Sequence, residues 1–220
     1  MAKKDDNALY LIKIQLSNVT PTVWRRIVVP RSINLADFNK VLIIAMGWSA
    51  THLSAFEDKK GIWYSVKNDW FDDDEDGDFL ADDEKNAQDF ILSQVLHINE
   101  PKLKQYYDFG DDWKHTITLE DDKYTPEKPL PCPIVCLAGK NACPLEDIGG
   151  AWGYQEFKKA IQGKEYDRAY EFDKEFLENF ADFDPKEFDI QSTNQQLSEL
   201  HDDLYKVQKK AKIISFKKPM

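Results

Sequence analysis

Between Tyr107 and His115 the chain reads YDFGDDWKH, which brings three carboxylates, an imidazole, a phenol and an indole into nine residues. Side chains of these types bind cations, exchange protons and stack on planar groups, but the string dictates no nucleophile, cofactor or substrate. Gly110 marks a turn, so the stretch reads as the polar tip of a hairpin set among large apolar anchors. With Gly110 and Asp111 as a two-residue turn, Asp108 faces Trp113 and Tyr106 faces His115, and Asp108, Trp113 and His115 line one surface. A carboxylate beside His115 raises the imidazole's pKa and fixes its tautomer, which suits a general base or a metal ligand. The same pair equally serves to close a sheet edge, and a register slip of one residue dissolves the grouping.

Other groups stand apart from this motif. Glu146 and Asp147, followed by Gly149 and Gly150, suit a cation or a basic ligand because glycine lets the backbone approach closely; structurally, Asp147 also suits a turn or helix cap. DDDEDGDFLADD places Asp72, Asp74, Asp76 and Asp83 at positions one, three, five and twelve of a calcium-loop pattern, with Gly77 at six. Asp83 is one methylene shorter than the usual bidentate Glu, so this loop predicts a weakly held divalent cation at most. A run with ten acids from Asp69 to Glu84 also reads as a solvated loop. Cys132, Cys136 and Cys143 have a C-x3-C-x6-C spacing foreign to common zinc sites, even with His52 or His115 as a fourth ligand, and read as reduced thiols. Arg25 and Arg26 point to opposite faces of a strand, one expected to pair with Asp108, Asp112 or Glu146 and the other to stay solvated.

The elements that must position these groups follow from periodicity. LYLIKIQL at Leu9 to Leu16 and the stretch Val23 to Val29 predict a first hairpin. A helix follows from Leu35 to Met46, capped by Asn34 or Ser32 and stopped by Gly47. His52 to Phe56 and Ile62 to Val66 form a second hairpin, Asn86 to Leu96 a short helix, and Leu103 to Phe109 with Trp113 to Leu119 a third hairpin. Pro126 to Gly153 reads as an ordered irregular loop, and helices are predicted at Tyr154 to Ile161, Arg168 to Phe180 and Asn194 to Gln208. Residues 1–8 are expected to be disordered, 9–200 to form one domain carrying the acidic loop 69–84, and 201–220 to be a helix end with a lysine-rich tail.

Composition narrows the function. The 220 residues carry a net charge of −11, which opposes broad contact with nucleic-acid phosphates as the main activity. The N-terminus lacks an apolar signal region and no aliphatic stretch spans a bilayer, so no membrane is expected. An odd count of three cysteines fits a cytoplasmic protein.

Several blocks, in order, resemble the Ri-plasmid ORF-three-like (plasmid pRiA ORF-3-like) family of bacteria and archaea. They are PTVWRRIVVP at Pro21 to Pro30, the segment Leu35 to Trp48 ending AMGW, THLSAF at Thr51 to Phe56 and YDFGDDWKHTITLE at Tyr107 to Glu120. CLAGKNACPLEDIGGAWGYQEF at Cys136 to Phe157 and FDPKEFDI at Phe183 to Ile190 complete the set, so the resemblance spans about Tyr10 to Asn194. It implies a single domain of a family associated with mobile elements. This chain departs from the family's usual pattern at Asn39 and Ser54, where His is common, and at Leu145, where Pro is. Some members carry a transposon resolvase label, but no serine-recombinase nucleophile motif is recognisable here.

The expected architecture is α+β: a twisted, mostly antiparallel sheet built from hairpins, helices on one face and additional C-terminal helices. The expected function is a binding or interaction module for a small-molecule or protein partner. Its polar cleft is drawn from Arg25, His52, Asp108, Asp112, Trp113, His115, Glu146 and Asp147. The competing expectation is a metal-assisted hydrolase or nuclease in which His52, His115 and nearby carboxylates activate water.

Overall fold

The computed structural model describes residues 8–67 and 84–215, with side chains as far as 204. The calcium-loop residues Asp72, Asp74, Asp76 and Asp83 and the end of the lysine-rich tail lie outside the described residues. Glu84, the last acid of the loop 69–84, accepts the Ser65 hydroxyl at 2.5 Å. At the N-terminus Ala8 is already engaged, its carbonyl accepting the Arg31 N–H at 3.0 Å.

Strand β1 (Leu9–Leu16) alternates half-buried and buried residues along its length, the pattern of a strand with one covered face. It pairs antiparallel with β2 (Trp24–Pro30), setting Ile12 opposite Ile27 and Ile14 opposite Arg25. Helix α1 (Leu35–Met46) starts where the Asn34 side chain accepts the Asp37 N–H and stops at Gly47, whose φ of 89° gives the left-handed turn. After it come β3 (Ser54–Glu57), β4 (Trp63–Val66), the two-residue β5 (Lys85–Asn86) and the one-turn α2 (Leu92–Val95). The chain continues through β6 (Lys102–Tyr107), β7 (Trp113–Tyr124), β8 (Val135–Lys140), α3 (Gly150–Ile161), α4 (Lys174–Asn179) and α5 (Ile190–Ser215).

The strands form one eight-stranded sheet in the order β5-β4-β3-β6-β7-β1-β2-β8, antiparallel except for the β4–β5 edge. The fold is α+β. One sheet face is buried over its centre, with Ile12, Ile14, Ile27, Phe56, Leu103 and Ile117 packed against the apolar side of α1; α5 lies against α1 and β8. The other face stays half-exposed. A second aromatic cluster centres on Phe157 of α3, whose ring meets Phe172, Phe176, Phe180 and Phe183 edge-on.

Several elements differ from their expected bounds, each for a tertiary reason. The segment 86–96 is not one helix, because Leu35 N–H bonds to the Phe90 carbonyl and Ile91 bridges to Asn34, which draws the chain extended. The irregular loop 126–153 contains β8, recruited by the free edge of β2, and the first turn of α3. The helix expected from Arg168 begins only at Lys174, where Asp173 caps it. Helix α5 begins earlier than Asn194 because the Asp189 carboxylate accepts the N–H groups of Gln191 and Ser192, both at 2.9 Å.

Candidate functional site

The hairpin tip sets the geometry. Tyr107 pairs with Trp113, Tyr106 with Lys114 and Gln105 with His115, so the register is displaced by one residue from that of a two-residue turn. The cause is the Asp108 side chain, whose Oδ1 accepts the N–H of Gly110 at 2.9 Å and of Asp111 at 3.3 Å. Asp108 and Asp112, with φ of 55° and 54°, both take the left-handed conformation this wider loop needs. The expected grouping of Asp108, Trp113 and His115 therefore does not form.

His115 turns into the core and is 1% exposed. Its Nδ1 lies 2.5 Å from Gln105 Oε1, and Gln105 Nε2 donates to Asn39 Oδ1 at 3.0 Å. Burial, reinforced by the Arg25 guanidinium, lowers its pKa to about 3, so the ring is neutral and serves as a buried polar link. Trp113, 1% exposed, is a core anchor, with Trp48 tilted against it at 5.6 Å. Asp112 faces outward and pairs with Lys114 at 2.6 Å.

Arg25 is removed from any ligand by burial. Its Nε donates to the Ala45 carbonyl at 2.8 Å, and one terminal nitrogen donates to Trp24 at 2.9 Å and Lys140 at 3.1 Å. The guanidinium lies 3.7 Å from the Phe188 ring centre, and desolvation depresses its pKa. Arg26, on the other face, makes a bidentate pair with Glu120 at 2.6 and 3.0 Å. Neither arginine pairs with Asp108, Asp112 or Glu146 among the described residues.

Three of the expected residues do converge. His52 in the turn after α1, Asp108 at the hairpin tip and Asp147 before α3 each offer one ligand atom, and these atoms all lie within 4.8 Å of one another. His52 Nε2 stands 3.1 Å from Asp147 and 3.7 Å from Asp108. These are contacts of distance only: Nε2 is buried and makes no aligned hydrogen bond. Asp147, with φ of 57°, bends the loop back at this point.

The three loops are bolted together by backbone-directed bonds. Asp108 N–H donates to the Leu53 carbonyl at 3.0 Å, joining the hairpin tip to the His52 turn. Glu146 accepts the Ser49 N–H at 2.9 Å, the Ser49 hydroxyl at 2.6 Å and the Tyr107 hydroxyl. Burial and then Glu146 raise the Tyr107 pKa well above that of an ordinary phenol, so it remains a donor. Trp48 Nε1 donates to the Pro144 carbonyl at 2.9 Å. Asp111 accepts the N–H groups of Ile148 and Gly149, both at 3.1 Å; burial raises its pKa, and these backbone donors partly oppose the rise.

Glu146 thus ties the loops together and is not among the three residues whose ligand atoms converge. The parts that sequence reasoning missed are Ser49, Trp48, Tyr107 and Asp111, all of which hold the loops in place. In the sequence Asp111 reads only as an acid of the turn. The cysteines stay apart from this chemistry: the thiols of Cys132 and Cys136 donate to the carbonyls of Ile134 and Ala138 at 2.7 and 3.4 Å, and burial raises the pKa of Cys143. No helix among the described residues is long and apolar enough to cross a membrane.

Comparison with known proteins places these features in a family. A curated relative, the uncharacterized protein y4hQ of Sinorhizobium fredii (strain NBRC 101917 / NGR234), is 34% identical over 191 residues, covering 86% of this chain and 90% of that protein. The crystal structure of a protein of unknown function, MM3350 from Methanosarcina mazei Go1, superposes with a TM-score of 0.64 at 26% identity, covering 83% of this chain and 96% of that one. Residues 8–192, which include every loop of the site, match the plasmid pRiA4b ORF-3-like protein family. The chain belongs to that family.

Proposed function

We propose that this protein is a binding module that holds a divalent cation between His52, Asp108 and Asp147 and uses it to capture a ligand. The observation that carries this reading is the buried His52 Nε2, which lacks an aligned hydrogen bond and faces two carboxylate oxygens at 3.1 and 3.7 Å. A buried polar atom without a partner costs free energy unless something satisfies it. One imidazole and two carboxylates form a nitrogen and oxygen donor set suited to zinc, manganese or iron rather than calcium. Three protein ligands leave coordination positions for a bound group. The hydrolase reading relied on a second imidazole, and His115 is enclosed in the core, so binding is favoured over water activation. The three thiols suit a reducing compartment such as the cytoplasm.

Isothermal titration of the metal-free protein with Mn²⁺ and Zn²⁺ tests this. One site is expected, weakened at least tenfold in His52→Ala and Asp147→Asn and unchanged in Asp112→Asn. Unchanged affinity in His52→Ala, or no binding at millimolar cation, rejects it.

A further inference from the structure

The half-exposed face of the sheet carries a charge opposite to that of the chain. Strand registers order this face in rows. One row runs Trp63, Glu57, Lys104, Thr116, Gln15 and Trp24 across β4, β3, β6, β7, β1 and β2. A neighbouring row runs Lys102, Thr118, Lys13 and Arg26, and on the other side Tyr106 sits beside Lys114. Lys140 extends the first row past Trp24. Set against these six cations, the face and its rim hold four acids, Glu57, Glu120, Asp121 opposite Leu11 and Asp112 beside Lys114, in a chain whose net charge is −11.

The aromatic rings on this face are grouped with cations. Trp63 stacks on Tyr106 at 4.7 Å, and Lys114 lies 5.7 Å from the Tyr106 ring centre. Lys13 and Arg26 lie 5.7 and 5.6 Å from Trp24. Two aromatic and cationic platforms therefore stand at opposite ends of one row. Five strand spacings separate them, roughly 24 Å at the usual distance between strands.

We propose that this face binds single-stranded nucleic acid, with bases stacking on Trp24, Trp63 and Tyr106 and phosphates meeting the lysines between them. Stacking platforms joined by cations are the common means of sequence-tolerant single-strand recognition. Three of the cations are paired, Arg26 with Glu120 and Lys104 with Glu57 at 3.0 Å, and Lys114 with Asp112 at 2.6 Å. Such exposed pairs contribute little and exchange readily for a phosphate. The net charge opposes long-range attraction, so binding is local, modest in affinity and steep in its salt dependence. This surface is separate from the His52 cluster, and neither proposal requires the other.

Fluorescence anisotropy of fluorescein-labelled dT12 against the full chain at 50 mM salt tests the proposal, with tryptophan quenching as a second readout. Micromolar binding with quenching is expected. The double variant Trp24→Ala/Trp63→Ala should weaken binding at least tenfold. The double variant Lys13→Glu/Lys102→Glu, both surface changes that leave the core intact, should weaken it and flatten the salt dependence. Circular dichroism confirms that each variant is folded. Absence of binding overturns the proposal, as does equal affinity in both folded variants. Polyglutamate displacing dT12 as well as unlabelled dT12 does would show a site for acidic polypeptides instead and also overturn it.

Discussion

Gly150 passes so close to Asp111 that a Cβ added to it would stand 2.4 Å from the Asp111 carbonyl oxygen. With the Asp111 carboxylate holding Ile148 and Gly149, this contact seats the start of α3 on the hairpin tip and places Asp147 beside His52. Gly150 also has a φ of 66°, a conformation that costs any residue with a side chain.

Gly150→Ala is accordingly expected to destabilise the protein by about 2–4 kcal/mol, combining left-handed strain with a backbone clash. A lowered melting temperature by calorimetry, together with weaker cation binding, checks this. An unchanged melting temperature would mean that the two loops separate without cost.

Glu146 gathers three donors from Ser49 and Tyr107, and glutamine offers only one acceptor oxygen in its place. Glu146→Gln is expected to lower the Tyr107 pKa, since the carboxylate charge adds to burial in raising it. Ultraviolet phenolate titration reads this directly. The pKa should remain above that of free tyrosine because burial persists.

His115 links stability to acid. Its folded pKa of about 3 lies below the usual 6.5, so the folded state binds fewer protons than the unfolded state between those values. Its contribution is fully present above pH 6.5 and is lost as pH falls toward 3, with a slope approaching about 1.4 kcal/mol per pH unit. Urea unfolding at pH 7, 6 and 5 should show this loss, and His115→Gln should flatten it by the equivalent of one proton. Parallel curves for the two proteins would contradict a buried neutral ring.

Arg25 and Arg26 are adjacent but should differ sharply. Arg25→Met leaves the buried carbonyl of Ala45 and the part-buried carbonyl of Lys140 without this donor, and about 3 kcal/mol of destabilisation is expected. Arg25→Lys should restore little, because an ammonium cannot reproduce the planar fork. Arg26→Met, which breaks only an exposed pair with Glu120, should cost less than about 1 kcal/mol. Shifts in urea midpoint at constant slope compare the three variants.

The elements read most directly from sequence were those set by neighbours a few residues apart. The alternation of β1 and the Asn34 and Gly47 boundaries of α1 depend on local periodicity and capping, and both appear as expected. The hairpin of YDFGDDWKH was also legible as a hairpin. Its register was not, because one side chain, Asp108, reached back to two backbone N–H groups and widened the turn.

The sequence by itself determined the α+β class, the family likeness, and the fact that His52, Asp108 and Asp147 are residues fit for ligation. Tertiary structure alone decided that these three meet while His115, Trp113 and Arg25 are taken into the core. The physical reason is that the meeting depends on bonds between distant segments: Asp108 to Leu53, Glu146 to Ser49 and Tyr107, and Asp111 to the chain entering α3. No local spacing encodes which of several buried polar groups will find a partner. That choice is settled only when the sheet register and the loops across it are fixed together.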